Sequence, residues 1–197
     1  MQKIIPQEAT LIPEGAKLVF EGVMYDVYQW EQELFDGTTD TFEMLRRADT
    51  VMALCIVDDK ILVLKDIQPH RGERISFPGG RIDDEDDDVL GAAKREVREE
   101  TGYSFRNWKL IRVAQPSTKI EWFVYEFIAW DVIDTSEPHL DAGEMITVEE
   151  KDFDTVKQLV LTRKGYLGES AEFFENAAST DDLLQTLEFI GDYISRG

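Results

Sequence analysis

Cysteine is almost absent from this chain of 197 residues, which contains only Cys55. A single cysteine excludes a disulfide within the chain. Cys55 lies in the apolar run of residues 51–57, and free cysteines in such surroundings behave as small, buried hydrophobic side chains. We therefore expect a buried thiol in the core rather than a nucleophile.

Positive charge and long apolar runs are also scarce. The chain has 21 Lys and Arg against 41 Asp and Glu, a formal net charge of −20 and a pI near 4.4. This balance disfavours binding to nucleic acid or to an anionic membrane. An anionic small molecule remains possible where metal ions and a few basic side chains reverse the local sign. Residues 1–10 lack the pattern of a secretory leader, and no apolar run approaches about 18 residues. We expect a soluble, cytoplasmic protein without a nucleic-acid or membrane partner.

The composition is that of a folded domain, with 43% hydrophobic and 11% aromatic residues. Residues 17–31 alternate apolar and polar side chains, and a turn at Asp36-Gly37 precedes a second such run from Thr41. This pattern predicts an antiparallel hairpin or short meander. A second hairpin is expected around Asp58-Asp59, between residues 51–57 and 60–65.

The rest of the chain predicts strands on both sides of one helix. The helix spans 89–101, with Asp88 as N-cap and Gly102 as its stop. Further strands are expected at 75–77, 108–114, 121–132 and 145–149, and further helices at about 152–162 and 180–195. The strand at 121–132 is nearly continuously apolar, which is typical of a central position. Strands and helices in this order indicate an α+β sandwich.

Three glutamates cluster on the predicted helix. Glu96 lies one helical turn from both Glu99 and Glu100, so the three carboxylates share a region of the surface. Such a cluster is either solvated or binds a cation, and carboxylate oxygens suit hard ions such as Mg²⁺. The preceding Pro78-Gly79-Gly80 favours the cation, because glycine permits close backbone approach. Arg95, four residues before Glu99, can orient that carboxylate.

The tract resembles the signature of the Nudix hydrolases, GX5EX7REUXEEXGU, where U is apolar. Residues 95–103 match the second half of this signature, and residues 77–80 match its entry. The resemblance implies an α/β/α sandwich of mixed sheets and the hydrolysis of a diphosphate linking a nucleoside to another group. It also implies Mg²⁺ or Mn²⁺ as cofactor.

The resemblance assigns roles to particular residues of this tract. Glu96, Glu99 and Glu100 are implied as metal ligands, together with the backbone carbonyl of Gly79. Arg95 is implied as the residue that orients these metal ligands. Arg95 and Glu99 are both implied as contributors to catalysis.

The first half of the signature departs from the family pattern. Counting forward from Gly80 reaches Asp86 in the glutamate position, with eight residues rather than seven before Arg95. Counting back from Arg95 reaches Asp87 instead. The acidic run at 83–88 thus contains one inserted residue, and Glu85, Asp86 or Asp87 could supply the missing carboxylate.

Outside the signature, the chain resembles the ADP-ribose and nucleoside-diphosphate-sugar pyrophosphatase branch. Residues 1–47 are expected to form an N-terminal antiparallel sheet, which is exchanged across a homodimer in many members, and residues 48–197 the Nudix domain. Trp30 could stack on an adenine or serve as a half-buried strand aromatic. Arg46 or Arg47 could pair with phosphate or offset local acidity.

Two further positions bear on the substrate. Gln68-Pro69 stands where the branch usually has Arg-Pro, and His70 or Arg71 could supply that contact instead. Glu144 lies beside Gly143 in a tract that resembles the loop carrying the branch's catalytic glutamate. It is either the general base or one surface glutamate among many.

The resemblance favours hydrolysis of ADP-ribose to AMP and ribose 5-phosphate. One alternative is a broad-specificity housecleaning Nudix hydrolase acting on other nucleotides or dinucleotides. A second is a catalytically silent Nudix fold that serves as a nucleotide sensor or interaction module, although the intact acidic tract at 95–100 argues against it.

Overall fold

The computed structural model describes residues 3–68, 71–140, 143, 145–162, 170–187 and 193–196. Their strands are β1 (Lys3–Pro6), β2 (Lys17–Phe20), β3 (Asp26–Glu33), β4 (Thr39–Arg46), β5 (Thr50–Val57), β6 (Lys60–Gln68), β7 (Arg71–Ser76), β8 (Tyr103–Ala114), β9 (Ile120–Glu121), β10 (Val124–Thr135), β11 (Met145–Asp152) and β12 (Tyr193–Arg196). The helices are α1 (Val89–Thr101), α2 (Phe153–Leu161), α3 (Ala171–Glu175) and α4 (Thr180–Thr186).

The central sheet is mixed and has the order β11-β6-β5-β10-β8, with β7 also paired to β6. Strand β10 runs parallel to β5 and antiparallel to β8, so it occupies the interior position expected of its apolar sequence. The β5–β6 hairpin turns at Asp58-Asp59, where Asp58 takes a positive φ of 55°. Aspartate tolerates this left-handed conformation better than most residues.

Helices cover both faces of the central sheet. One face packs against α1 through a cluster that includes Cys55, Ala93 and Val97. The other face packs against α2, α3 and α4 through a cluster that includes Val156 and Phe174. The alternation of inward side chains along β5 and β10 supplies both clusters, because successive strand residues point to opposite faces. The expected α/β/α sandwich is therefore confirmed.

A second sheet precedes the sandwich, with the order β2-β3-β4-β9. Strands β2, β3 and β4 form the predicted antiparallel meander, and the β3–β4 turn holds Gly37 at φ 81°. Strand β9 joins β4 in parallel and ties this sheet to the sandwich. Division of the chain into residues 1–47 and 48–197 stays a prediction.

The C-terminal part differs from the expected helix at 180–195. Helix α4 ends at Thr186, and residues 193–196 form β12, which pairs antiparallel with β1 at the N-terminal end. Tyr193 and Ile194 favour strand over helix, and a partner distant in sequence supplies the hydrogen bonds. Among the described residues, no helix is long and apolar enough to span a membrane.

Candidate active site

Helix α1 presents its acidic face because its caps and its apolar face fix its position. The Asp88 side chain accepts the Gly91 N–H at 2.7 Å, and Gly102 ends the helix at φ 77° with its N–H donated to the Arg98 carbonyl. Both caps agree with the sequence prediction. The buried face includes Val97, which turns the glutamates toward the preceding turn and the solvent.

The Pro78-Gly79-Gly80 turn lies directly against these glutamates. The Gly79 N–H donates to Glu100 Oε2 at 2.7 Å, and a Cβ on Gly80 would overlap the Glu96 carboxylate. The turn is anchored to β5, because the Pro78 and Gly80 carbonyls accept the N–H groups of Ala53 and Val51 at 2.8 and 2.9 Å. The Gly79 carbonyl accepts no hydrogen bond from the described residues, so its position suits a ligand contact.

Arg95 holds two of the carboxylates together. Its Nη1 donates to Glu96 Oε1 at 2.9 Å and to Glu99 Oε2 at 3.1 Å. Burial raises the pKa of Glu96 to about 7, against the opposing effect of Arg95. The Glu96 side chain is only 14% exposed. Burial therefore disfavours the charged form of Glu96, and a cation bound beside it would favour that form.

The residues present fit a hard divalent ion by their chemistry. They offer three carboxylates and a backbone carbonyl, which are the oxygen ligands that Mg²⁺ and Mn²⁺ prefer. No three Asp, Glu, His or Cys side chains in the described part of the chain are grouped closely enough to hold an ion in this conformation. In this conformation the Gly79 N–H donates to Glu100, and Arg95 donates to both Glu96 and Glu99.

Within the acidic run Asp86 makes the shortest ion pair with Arg95, while Asp83 Oδ2 lies 3.6 Å from Arg95 Nη2. Its two oxygens accept from Arg95 Nε and Nη2, both at 2.9 Å, and its side chain is only 7% exposed. The Arg95 hydrogen bond lowers the pKa of Asp86. Glu85 and Asp87 are both exposed. Sequence reasoning left three candidates open, and the forward count from Gly80 identifies the one that makes this contact.

The backbone around Asp86 completes this corner of the site. The Asp83 N–H donates to Asp86 Oδ2 at 2.9 Å, and Arg95 Nη2 also donates to the Arg81 carbonyl at 2.9 Å. Arg81 bridges to Thr50 at the start of β5. Asp83 and Asp86 are therefore folded against Arg95, whereas Asp84, Glu85, Asp87 and Asp88 are exposed to solvent.

The two adjacent arginines have different surroundings. Arg46 pairs with Glu121 at 2.8 and 2.9 Å, donates to Tyr28 Oη at 3.0 Å and covers the Tyr28 ring. The Arg47 guanidinium lies 4.7 Å from the Trp122 ring centroid and 5.7 Å from that of Tyr25. Its Nε is buried without a hydrogen-bond partner, and no carboxylate of the described residues forms an ion pair with it.

Trp122, which sequence reasoning did not single out, links Arg47 to the signature region. Its Nε1 donates to Thr50 Oγ1 at 3.1 Å, and Thr50 is the residue bridged to Arg81 beyond the glycine turn. Arg47 therefore lies near the end of the sheet that carries Gly79 and Gly80. Trp122 lies two residues before β10, so the sequence signal was an aromatic residue close to the start of that apolar strand.

Trp30 lies at a cleft of about 560 Å³ in the N-terminal sheet. Its ring packs against Phe42, with centroids 6.2 Å apart, and its Nε1 donates to Gln32 Oε1 at 3.0 Å. The cleft is lined by Pro13, Gly15, Lys17, Val19, Gln29, Trp30, Glu31 and Thr41. Trp30 therefore packs against Phe42 and also borders the open cleft.

The remaining predicted residues are described less completely. Gln68 donates to Asp66 Oδ2 at 3.4 Å at the end of β6. Glu144, His70 and the side chain of Arg71 lie outside the described residues, so their contribution stays a prediction.

Comparison with known proteins identifies the family. A model of the NUDIX domain matches residues 46–176, more than half of the chain. The chain belongs to the Nudix family. The enzyme class expected from the sequence, a Nudix hydrolase, is thereby confirmed.

One curated relative agrees with the expected branch of the Nudix family, and one solved structure agrees with the fold. The chain is 26% identical over 169 residues to an ADP-ribose pyrophosphatase of Bacillus subtilis (strain 168), with 84% of this chain and 89% of the relative covered. A solved structure, described as an ADP compounds hydrolase, superposes with a TM-score of 0.66 at 19% identity. It covers 88% of this chain and 91% of that chain. The structural likeness supports the fold.

Proposed function

We propose that this Nudix hydrolase cleaves the diphosphate bond of ADP-ribose, releasing AMP and ribose 5-phosphate. The observation that carries the proposal is the contact between the glycine turn and the acidic helix face, with Gly79 N–H on Glu100 and Gly80 against Glu96. This contact brings the glycine turn against Glu96 and Glu100, and Arg95 joins Glu99 to Glu96. The relative from Bacillus subtilis supports the substrate class.

We assign Glu96, Glu99, Glu100 and the Gly79 carbonyl as the groups that would hold Mg²⁺ or Mn²⁺. The bound ion would neutralise diphosphate charge and lower the pKa of a coordinated water. Arg95 holds Glu96 and Glu99 in place, since one nitrogen donates to both carboxylates.

In the proposed reaction a water oxygen attacks one phosphorus atom of the diphosphate. A new P–O bond forms, the bridging P–O bond breaks, and the other phosphate leaves with the bridging oxygen. We assign the Glu144 carboxylate as the general base that accepts the proton of the attacking water. This assignment comes from the sequence, where Glu144 follows Gly143 and precedes β11.

Arg47 is the better candidate of the two arginines for contacting the substrate. Arg46 is already neutralised by Glu121, whereas Arg47 is held between two rings with no ion-pair partner among the described residues. A guanidinium without a carboxylate partner can pair with a phosphate and reverse the local sign in a chain of net charge −20. We further propose that Trp30 stacks on the adenine, and that Gln68 and Arg71 contact the substrate near the end of β6.

We also propose that the N-terminal sheet is shared in a homodimer. This part of the chain exposes several large apolar side chains close together in sequence. Exposed apolar patches often mark protein–protein interfaces. The exposed side chains are Leu18 at 47%, Val19 at 50%, Phe20 at 61%, Val23 at 105% and Met24 at 62%. A monomer in sedimentation at micromolar concentration would contradict this arrangement.

The function is tested with purified protein, Mg²⁺ or Mn²⁺, and ADP-ribose, ADP-glucose, NADH and dinucleoside polyphosphates, with release of AMP or phosphate as the signal. We expect ADP-ribose to give the highest kcat/KM. Preference for another compound would favour a broad-specificity hydrolase, and no turnover with metal bound would favour a nucleotide sensor.

Glu100→Gln tests the site itself. We expect a loss of at least about a hundredfold in kcat with little change in fold, because the side chain supplies an oxygen ligand and little core packing. Glu85→Gln makes the same chemical change at an exposed position of the acidic run and should leave kcat unchanged. Activity of Glu100→Gln near wild type would show that the metal assignment is wrong.

A further inference from the structure

The segment Ser136–His139, here called the strap, crosses the C-terminal end of α1. The Ser136 N–H donates to the Gly102 carbonyl at 2.8 Å, and the His139 N–H donates to the Glu99 carbonyl at 2.8 Å. The last carbonyls of a helix have no partner within the helix. The strap therefore satisfies two carbonyls at the turn that carries Glu99 and Glu100.

Gly102 does more than end the helix. Its φ of 77° favours glycine, and any Cβ there would overlap the Ser136 carbonyl oxygen. The missing side chain is what lets the strap lie directly on the helix end. An alanine would have to displace the strap backbone, which is a rigid neighbour rather than a flexible side-chain tip.

Contacts of two side chains, Arg98 and Tyr103, extend this attachment to both sides of the strap. Arg98 donates to Asp134 Oδ2 at 3.2 Å, just before the strap, and to Ser104 Oγ at 2.7 Å. Tyr103 Oη donates to Glu150 Oε1 at 2.9 Å, in the strand that follows. The end of α1 and the start of β8 are thus joined to β10, before the strap, and to β11, after it.

We propose that the strap is a positioning element for catalysis, which fixes the end of α1 that carries Glu99 and Glu100. This inference rests on the proposed function. The His139 N–H is bonded directly to the backbone carbonyl of Glu99, so the strap acts on the residue whose carboxylate is assigned to the metal. Small errors in the spacing of catalytic groups cost large factors in rate.

The first test compares His139→Pro with His139→Ala. Proline removes the N–H that donates to Glu99, whereas alanine keeps it. We expect His139→Pro to lower kcat at least tenfold, to change the KM for ADP-ribose less than threefold and to weaken Mn²⁺ binding several-fold in calorimetry. His139→Ala should remain within twofold of wild type in all three quantities.

The second test uses exposed side chains, so that loss of the fold cannot explain the result. Arg98→Ala removes the contacts to Asp134 and Ser104. Arg106→Ala removes a comparable exposed ion pair with Asp131, 2.9 Å long, elsewhere on the same strand pair. We expect Arg98→Ala to lower kcat about threefold or more at unchanged Tm, and Arg106→Ala to match wild type.

The measurement of Mn²⁺ binding separates this inference from the proposed function. Wild-type protein that binds Mn²⁺ but hydrolyses none of the nucleotides would refute the function, and the Mn²⁺ dissociation constants of the His139 pair would still test the strap. Equal kcat, KM and Mn²⁺ affinity in His139→Pro and His139→Ala would overturn the strap proposal. Equal kcat in Arg98→Ala and Arg106→Ala would overturn it as well.

Discussion

Replacing Asp86 by asparagine should weaken both the fold and the metal site. Asp86 accepts two hydrogen bonds from Arg95 at 2.9 Å, with its own side chain only 7% exposed. A hydrogen bond to a charged group contributes about 1.5–3 kcal/mol. Asparagine keeps one acceptor oxygen but loses the charge and one bond. We therefore expect the free energy of unfolding to fall by about 2 kcal/mol.

Thermal and denaturant unfolding measure this loss. For a chain of this size, about 1 kcal/mol corresponds to roughly 2–4 °C, so Tm should fall by about 4–8 °C. Asp87→Asn changes an exposed neighbour and should shift Tm by less than about 1 °C. An Asp86→Asn protein with the Tm of wild type, or an equal loss in Asp87→Asn, would refute the pairing argument.

The stability difference between wild type and Asp86→Asn should depend on pH. The pKa of Asp86 is lowered below its ordinary value of 3.8 by Arg95, so the folded state favours the charged carboxylate. Its contribution is therefore complete above the unfolded pKa and is lost as pH falls through the folded pKa. The two proteins should differ fully near neutral pH and converge below about pH 4. A constant difference down to pH 2 would contradict this linkage.

Three other substitutions or probes test separate features of the site and core. Arg47→Gln should raise the KM for ADP-ribose at least tenfold with little change in Tm, whereas Arg46→Gln should lower Tm through loss of its ion pair, as steady-state kinetics and thermal unfolding will show. Gly80→Ala should weaken Mn²⁺ binding at least tenfold in calorimetry, because a Cβ would displace the Glu96 carboxylate. The fold itself should change little, because the displaced atoms are the end of a flexible side chain. The Cys55 thiol should react with a thiol reagent only after unfolding, because complete burial raises its pKa.

Elements with local signals could be predicted from sequence alone. Helix α1 begins at Asp88 and ends at Gly102 because a capping oxygen and a left-handed glycine act within a few residues of the helix. The same holds for the turn at Gly37, whose positive φ is set by the local chain. The acidic face followed from the helical period, whereas the contacts of Gly79 with Glu100 and of Gly80 with Glu96 came from the fold.

Features that depend on distant partners could not be predicted in this way. Strand β12 forms only because β1, nearly the whole chain away, offers an open edge, and the local pattern at 180–195 favoured a helix. The stacking of Arg47 on Trp122 joins residues 75 positions apart. The sequence close to Arg47 or to Trp122 gives no sign of the other residue, so their contact is seen only in the fold.

The choice of Asp86 shows why spacing alone was ambiguous. Aspartate is one methylene shorter than the glutamate of the family pattern, so it needs a backbone closer to Arg95 to reach the guanidinium. The extra residue before α1 gives the chain the slack to turn back, and the Asp83 N–H bond to Asp86 Oδ2 holds that turn. Each change is a departure from the family pattern, and in this fold the Asp86 carboxylate reaches Arg95.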